Sequence, residues 1–108
     1  MNIPNKVRIG SIDYDVLIKS PLVLEGKQCN GMIDYSFNEI HLDDNIQGKQ
    51  TLECTFLHEV VHGLLYSRGL LDASTDETLV EELSKALHQF IRDNPEVFKD
   101  KEQEVELM

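Results

Sequence analysis

The sequence predicts a single α+β domain in which small β-hairpins precede two packed helices. Before residue 45, short β-rich runs alternate with turn residues, whereas after it apolar residues recur at helical spacing. A chain of 108 residues can form one modest core and is too short for two. We therefore expect a single domain with a β-rich segment (residues 1–45), a helical segment (residues 46–92) and a short helix with an acidic tail (residues 93–108).

The β-rich segment contains two predicted hairpins that would form a small antiparallel sheet. The runs KVRIG and IDYDVLIKS are separated by Gly10-Ser11, and a turn connects Met32–Tyr35 to Glu39–Asp43. In that last run Ile40 and Leu42 alternate with polar residues, as in a half-buried strand. The stretch PLVLEGKQCN between the hairpins fits either strand or loop.

The helical segment begins with a predicted helix from about Gln47 to Arg68. Gly69 can end this helix in a left-handed C-cap. The apolar residues at helical spacing form one broad stripe: Leu57, Val60, Val61, Leu64 and Leu65.

A second helix is predicted from about Asp76 to Arg92, after the short connection LLDAST. Thr75 is the expected N-cap, and Asn94-Pro95 favours a short third helix. The stripe expected to face the core consists of Leu79, Val80, Leu83, Leu87, Phe90 and Ile91.

Composition narrows the classes of function. The formal net charge of −10 opposes binding to nucleic-acid phosphates and to anionic membrane surfaces. No apolar run approaches the ~20 residues that a membrane span needs, and the first residues lack the hydrophobic segment of a signal peptide. The two cysteines, Cys29 and Cys54, form no CxxC pair. We therefore expect free thiols and a cytoplasmic location.

The segment FLHEVVHGLL carries the most specific chemical pattern in the chain. His58 and His62 lie four residues apart, so on a helix both imidazoles can point to one metal ion. Glu59 is offset from His58 by about 100° around the helix. It would flank the metal without binding it, and it could take a proton from a zinc-bound water.

A plain structural interpretation competes with the metal site, because two histidines on an apolar helix can be ordinary core residues. Partly buried His58, Glu59 and His62 would each lose water, however, and this loss is unfavourable without partners. The metal-site interpretation therefore carries more weight.

A catalytic zinc of this kind needs a third protein ligand and one open position. The extended metzincin motif would need Gly at 65 and His at 68, but the chain has Leu65 and Arg68. A glutamate on the following helix is the other common solution. Glu81 is the preferred candidate, Glu82 is second, and Glu77 is better explained as a charge that complements the helix dipole.

These residues support a resemblance to a known family. The HExxH helix is followed by EELSKAL, with 18 residues between His62 and Glu81, and it is preceded by GMIDYSFNEIHLDD. From about Gly31 to Pro95 the chain resembles gluzincins, and more narrowly the compact ImmA/IrrE-type metallopeptidases and their short phage- and prophage-encoded relatives. The family often has Ala-Asn or Ala-Asp where this chain has Ser84 and Lys85.

The resemblance implies a zincin-like fold and zinc-dependent hydrolysis of peptide bonds in a protein or peptide substrate. It implies one zinc ion bound by His58, His62 and Glu81, with Glu59 as the catalytic base. It also implies a bacterial cytoplasmic location, possible phage or prophage origin and a possible regulatory protein partner.

Other residues are weaker candidates. His88 could replace Glu81 as third ligand or act as an electrophile, although a lone histidine near a helix end is more often structural. Tyr66 could stabilise a developing oxyanion. The strand Glu39–Asp43 could offer its edge to an extended substrate, through Glu39, Ile40, His41, Leu42 and Asp43. Gly63 can allow close approach of a neighbouring strand.

The alternative function is a non-catalytic, zinc-stabilised protein-binding module, for example a phage or prophage regulator. A structural metal stabilises small cores. Such a module has no need of Glu59, so the sequence favours the enzyme.

Overall fold

A computed structural model describes residues 1–99 of the chain. It contains six strands, three α-helices and one 3₁₀ helix. The strands are β1 (Lys6–Ile9), β2 (Ile12–Ile18), β3 (Val23–Leu24), β4 (Lys27–Gln28), β5 (Gly31–Asp34) and β6 (Glu39–Leu42). The helices are α1 (Lys49–Ser67), α2 (Leu71–Ser74) and α3 (Glu77–Asp93), followed by the 3₁₀ helix Pro95–Phe98.

Four of the strands form one mixed sheet in the order β1-β2-β6-β5. Both predicted hairpins are present, since β1 pairs with β2 and β5 with β6 in antiparallel fashion. The prediction of a purely antiparallel sheet is wrong, because β2 and β6 run parallel, with Val16 opposite Ile40. The chain between them forms the small β3–β4 hairpin and returns through β5, so β6 can enter the sheet alongside β2.

The core lies between this sheet and α1. Its buried members are Ile9, Tyr14, Val16, Ile40, Leu42, Phe56 and Leu57. Two glycines let α1 approach the strands closely. A Cβ on Gly31 would lie 2.7 Å from the Thr55 methyl carbon, and one on Gly63 would lie 2.9 Å from Cδ1 of Ile9. Gly63 thus has the packing role that its place after His62 predicted.

Helix α3 packs antiparallel to α1 through polar side chains. His62 contacts Glu77, His58 contacts Glu81, and Glu53 contacts His88. The residue number falls along α1 as it rises along α3, as an antiparallel pair requires.

The face of α3 that is buried differs from the predicted stripe. The buried residues of α3 are Val80, Ser84 and His88, whereas Leu79, Leu83 and Phe90 are about two-fifths exposed. On α1, Leu64 is also exposed. Val80 is fully buried and Leu87 and Ile91 are partly buried, so one side of the predicted stripe packs inward while the side with the exposed residues faces solvent.

The helix ends follow the predicted chemistry with one correction. Gly69 has a φ of +75° and closes α1, with the Gly69 and Leu70 amides donating to the carbonyls of Tyr66 and Leu65. The N-cap of α3 is Asp76, whose carboxylate accepts from the Leu79 amide, and not Thr75.

The α+β class and the order of elements are therefore confirmed, and the predicted short third helix is the 3₁₀ helix with Pro95 in its first turn. The predicted acidic tail lies mostly at 100–108, outside the described residues. Within residues 1–99, no helix has the length and apolarity required to cross a membrane.

The contact between Gly31 and α1 gives a test of the packing. We expect Gly31→Ala to lower the free energy of unfolding by about 1–3 kcal/mol, because the new methyl group meets the stiff side chain of Thr55. The measurement is urea unfolding of the variant and of the parent protein.

Thr55→Ser supplies the matched background, since it removes the methyl group and keeps the hydroxyl that donates to Gln47. More than half of the Gly31→Ala effect should disappear there. An equal loss in both backgrounds would contradict this packing.

Candidate metal centre

Helix α1 brings His58 and His62 to one side of the α1–α3 pair, and other elements fix the orientation of both rings. Nδ1 of His62 lies 2.5 Å from the Ser74 carbonyl oxygen at the end of α2. Nδ1 of His58 lies 2.8 Å from Oε2 of Glu81 on α3. In each ring the contact at Nδ1 is shorter than the 3.1 Å contact of Nε2 with Glu77, and the oxygen at Nδ1 can only accept. We therefore assign the proton of each neutral ring to Nδ1.

This tautomer leaves both Nε2 atoms free to act as ligands when the rings are neutral. The two Nε2 atoms lie 3.1 Å apart. Two nitrogen lone pairs at this distance repel each other unless a proton or a metal cation lies between them. The arrangement therefore suits a shared cation.

Glu77 completes the group from the first turn of α3. Its Oε2 lies 3.1 Å from Nε2 of His58, and its Oε1 lies 3.1 Å from Nε2 of His62. One donor atom can be chosen from each of the three residues so that all lie within 4.8 Å of one another. For comparison, the donors of a tetrahedral zinc with bonds of ~2.0–2.1 Å are about 3.3–3.4 Å apart.

Glu81 occupies a different place from the one predicted. Its carboxylate bridges Nδ1 of His58 and, at 3.4 Å, Nζ of Lys85, on the far side of the His58 ring from the shared point. This is the position of an outer carboxylate that orients a metal-binding histidine. The geometry thus favours Glu77 over Glu81 as the third ligand. The predicted role of Glu77, a charge that complements the helix dipole, does not account for its contacts with both imidazoles.

Glu59 is buried beside this group, with 7% of its surface exposed. Burial raises the pKa of its carboxyl to about 7, while His58 lowers it and the charge of Glu77 raises it further. A carboxyl with this pKa can both accept and release a proton near neutral pH.

The group lies where two grooves meet on the surface of α1. One, of ≈ 610 Å³, runs between α1 and α3, and the other, of ≈ 600 Å³, lies against β5 and α2. Gly31, His58 and Glu59 line both grooves. The result is one continuous cleft across the HExxH segment.

The strand that borders this cleft is β5, and the prediction for Glu39–Asp43 is wrong. Strand β6 pairs with β2 on one side and with β5 on the other, so it has no open edge. His41 is buried and contacts Glu39, and the buried Asp43 accepts from the Leu22 and Asn45 amides. Within residues 1–99, β5 forms the edge of the sheet on this side.

Two tyrosines border the β5 side of the cleft. Tyr66 is 44% exposed and stacks on Tyr35, with ring centroids 3.9 Å apart. Burial raises the pKa of Tyr35 to about 12, and nearby Tyr14, Glu59 and Tyr66 add to that shift. Tyr35 therefore stays a neutral hydroxyl donor at physiological pH.

The remaining candidates lie away from the shared point. His88 is buried, and its Nε2 lies 2.8 Å from Oε1 of Glu53, about 16 Å along α3 from Glu77. Its role here is structural. Glu82 is exposed in a shallow groove that His58, Glu77, Thr78 and Glu81 also line, but among residues 1–99 its carboxylate contacts neither imidazole.

Sequence reasoning missed two contributors to the site. The Ser74 carbonyl orients His62, but a backbone carbonyl has no sequence signature. Glu77 has a sequence signature, because it is an acidic residue one helical turn before Glu81. Choosing between Glu77 and Glu81 as the ligand, however, requires the register of α3 against α1.

The chain was compared with protein-family models, with curated proteins and with solved structures, and none of them matches.

The buried Glu59 predicts a pH-dependent difference in stability for the metal-free protein. Its folded-state pKa of about 7 lies above the unfolded value of 4.5, so the folded state holds the extra proton between these values. The free energy of unfolding should therefore fall as pH rises from about 4.5 to 7. Glu59→Gln, which stays neutral, should be similar to the parent at pH 4.5 and more stable by about 3 kcal/mol at pH 8.

Urea unfolding in the presence of a chelator at both pH values measures this difference. A Glu59→Gln variant that is no more stable at pH 8 than at pH 4.5, relative to the parent, would contradict the assigned burial.

The assignment of Glu77 and Glu81 can be tested by metal affinity. Glu81→Gln should weaken zinc binding about 10–100-fold, as removal of an outer partner does, and Glu77→Gln should weaken it more because it removes a ligand. Glu82→Gln, on the same helix and in the same shallow groove, is the matched control and should change the affinity far less than either variant, because Glu82 contacts neither imidazole. Competition with a zinc-binding dye gives the affinities, and a larger loss for Glu81→Gln would assign the third ligand to Glu81.

Proposed function

We propose that this protein is a zinc-dependent metallopeptidase with His58, His62 and Glu77 as metal ligands and Glu59 as the general base. The observation that carries the proposal is the pair of Nε2 atoms, 3.1 Å apart, with Glu77 beside them and Glu59 buried next to them. This donor set sits in an open cleft, where a catalytic centre needs access.

The side chains fit zinc in the type of donor atom. Two imidazole nitrogens and one carboxylate are a known catalytic zinc set with one position left open. When bound, zinc would polarise the substrate carbonyl and lower the pKa of water toward ~7.

Glu59 would handle the proton. Its carboxylate can take a proton from the attacking water and later deliver it to the leaving amine. A pKa of about 7 suits both transfers, because neither protonation state is strongly favoured at neutral pH. The neutral histidine tautomers are held by Ser74 and Glu81, so neither ring needs to reorient.

The surroundings suit a peptide substrate. An extended chain can add to the open side of β5, which borders the cleft, through main-chain hydrogen bonds. Tyr35 and Tyr66 line the same groove and could donate to a developing oxyanion. The proposal includes a zincin-like architecture and a relationship to the ImmA/IrrE-type metallopeptidases. It also includes a protein substrate in a bacterial cytoplasm.

The decisive variant is Glu59→Gln. Zinc content should stay at one equivalent, while cleavage of fluorescein-labelled casein should fall about 10²–10⁴-fold, because the proton acceptor is lost. Glu82→Gln is the control and should retain full activity.

If Glu59→Gln keeps zinc and remains as active as the parent, the peptidase assignment is wrong. If the zinc-loaded parent cleaves no substrate but binds a partner protein equally well with and without Glu59, the zinc-stabilised binding module is the better assignment.

A further inference from the structure

The groove between α1 and α3 changes its charge along its length. Near the candidate metal centre it is lined by Glu59 and Glu81, and farther along α3 it is lined by Lys85, His88 and Arg92. Nothing in the proposed hydrolysis uses this second half. We call the pair Lys85 and Arg92 the basic end of the groove.

Helical geometry explains why these residues follow one line. Positions 81, 85, 88 and 92 are spaced by four, three and four residues, which keeps them on one face of α3. At 1.5 Å per residue, Lys85 lies about 6–12 Å along the axis from the level of Glu77 and Glu81, and Arg92 lies about 16–22 Å from it. These distances correspond to about two to four, and about five to seven, residues of an extended peptide.

The two cations are available to a ligand. Lys85 is 58% exposed, and its contact with Glu81 is a 3.4 Å surface pair, which is a weak interaction. Arg92 is exposed and makes no ion pair or side-chain hydrogen bond with any of the described residues, 1–99. The net charge of the protein is −10, so the basic end is a positively charged patch on an otherwise acidic chain.

The polar side chain on the floor of the groove beneath Lys85 and Arg92 already has a hydrogen-bond partner. His88 is buried and bonded to Glu53. The thiol of Cys54 lies near both cations. Burial and the charges of Glu81 and Glu53 raise the pKa of this thiol, whereas Lys85 and Arg92 lower it. The basic end therefore faces the open groove over a floor with no free charge of its own.

We propose that the basic end binds a carboxylate of the substrate chain, so that the enzyme prefers peptides carrying negative charge on one side of the scissile bond. The carboxylate can belong to an acidic side chain or to the C-terminus of the peptide. Arg92 offers a planar fork that pairs with a carboxylate through two hydrogen bonds, and Lys85 adds a point charge. The preference for negative charge on one side of the scissile bond rests on the proposed function. The binding of a carboxylate at the basic end does not.

The test measures peptide binding without turnover. Zinc-loaded Glu59→Gln protein is titrated, by fluorescence anisotropy, against three fluorescein-labelled decapeptides. One has glutamates and an amidated C-terminus, one is neutral with a free C-terminus, and one is neutral and amidated. Peptides with a carboxylate should bind more tightly than the neutral amidated peptide, and the two carboxylate peptides reveal which source is preferred.

Charge reversal then locates the binding site. K85E together with R92E should weaken binding of the preferred carboxylate peptide about tenfold, since two favourable ion pairs become repulsive, and should leave the neutral amidated peptide unchanged. The milder pair K85Q and R92Q should give a smaller loss in the same direction. The matched control is K19E with R68E, which changes the net charge equally at two exposed cations that line neither groove and form no ion pair with any of residues 1–99.

Equal binding of all three peptides would overturn the inference, as would equal losses from the α3 pair and from the control pair K19E with R68E, because net charge alone would then explain the effect. The cleavage assay on the parent protein is scored separately. Absence of cleavage together with carboxylate binding at the basic end would contradict the peptidase proposal and leave this binding site supported.

Discussion

The polar contact between α1 and α3 is the constraint on which the site depends. His62 with Glu77 and His58 with Glu81 join the helices at one end, and Glu53 with His88 joins them at the other. Among the residues of α3, Val80 is the one fully buried apolar residue, and Leu87 and Ile91 are partly buried. Only Glu53–His88 is buried on both sides, and breaking such a pair by removing one partner typically costs about 3–5 kcal/mol. This pair therefore contributes most to how α3 lies on α1.

This constraint produces chemistry because it fixes protons as well as positions. The Ser74 carbonyl and the Glu81 carboxylate hold the protons of both imidazoles on Nδ1, which turns both Nε2 lone pairs toward Glu77. Glu59 is buried on the neighbouring side of α1, near Cys29 and Tyr35, and this burial raises its pKa toward neutrality. The orientation of the ligands therefore depends on α2 and α3, whereas the basicity of the neighbouring carboxylate depends on its burial in α1.

Local patterns in the sequence predicted much of this arrangement. The hairpins, both long helices, the Gly69 cap and the shared face of His58 and His62 all depend on residues close in sequence. The parallel pairing of β2 with β6 depends instead on how distant strands meet, so the open edge was assigned to β6 and lies at β5. The choice between Glu77 and Glu81 likewise depends on how α3 is rotated on α1, and the exposed Leu79, Leu83 and Phe90 show that the apolar stripe alone gives the wrong rotation.

The central claim is that His58 and His62 present Nε2 to one shared metal ion while Nδ1 keeps its proton. Long-range ¹H–¹⁵N correlation spectra of the histidine rings, recorded as zinc is added to the metal-free protein, test this directly. The account predicts that one equivalent of zinc shifts the Nε2 signals of both His58 and His62 to metal-bound values, with both Nδ1 atoms protonated and His41 and His88 unchanged. Zinc-independent spectra, or coordination through Nδ1 of either ring, would contradict it.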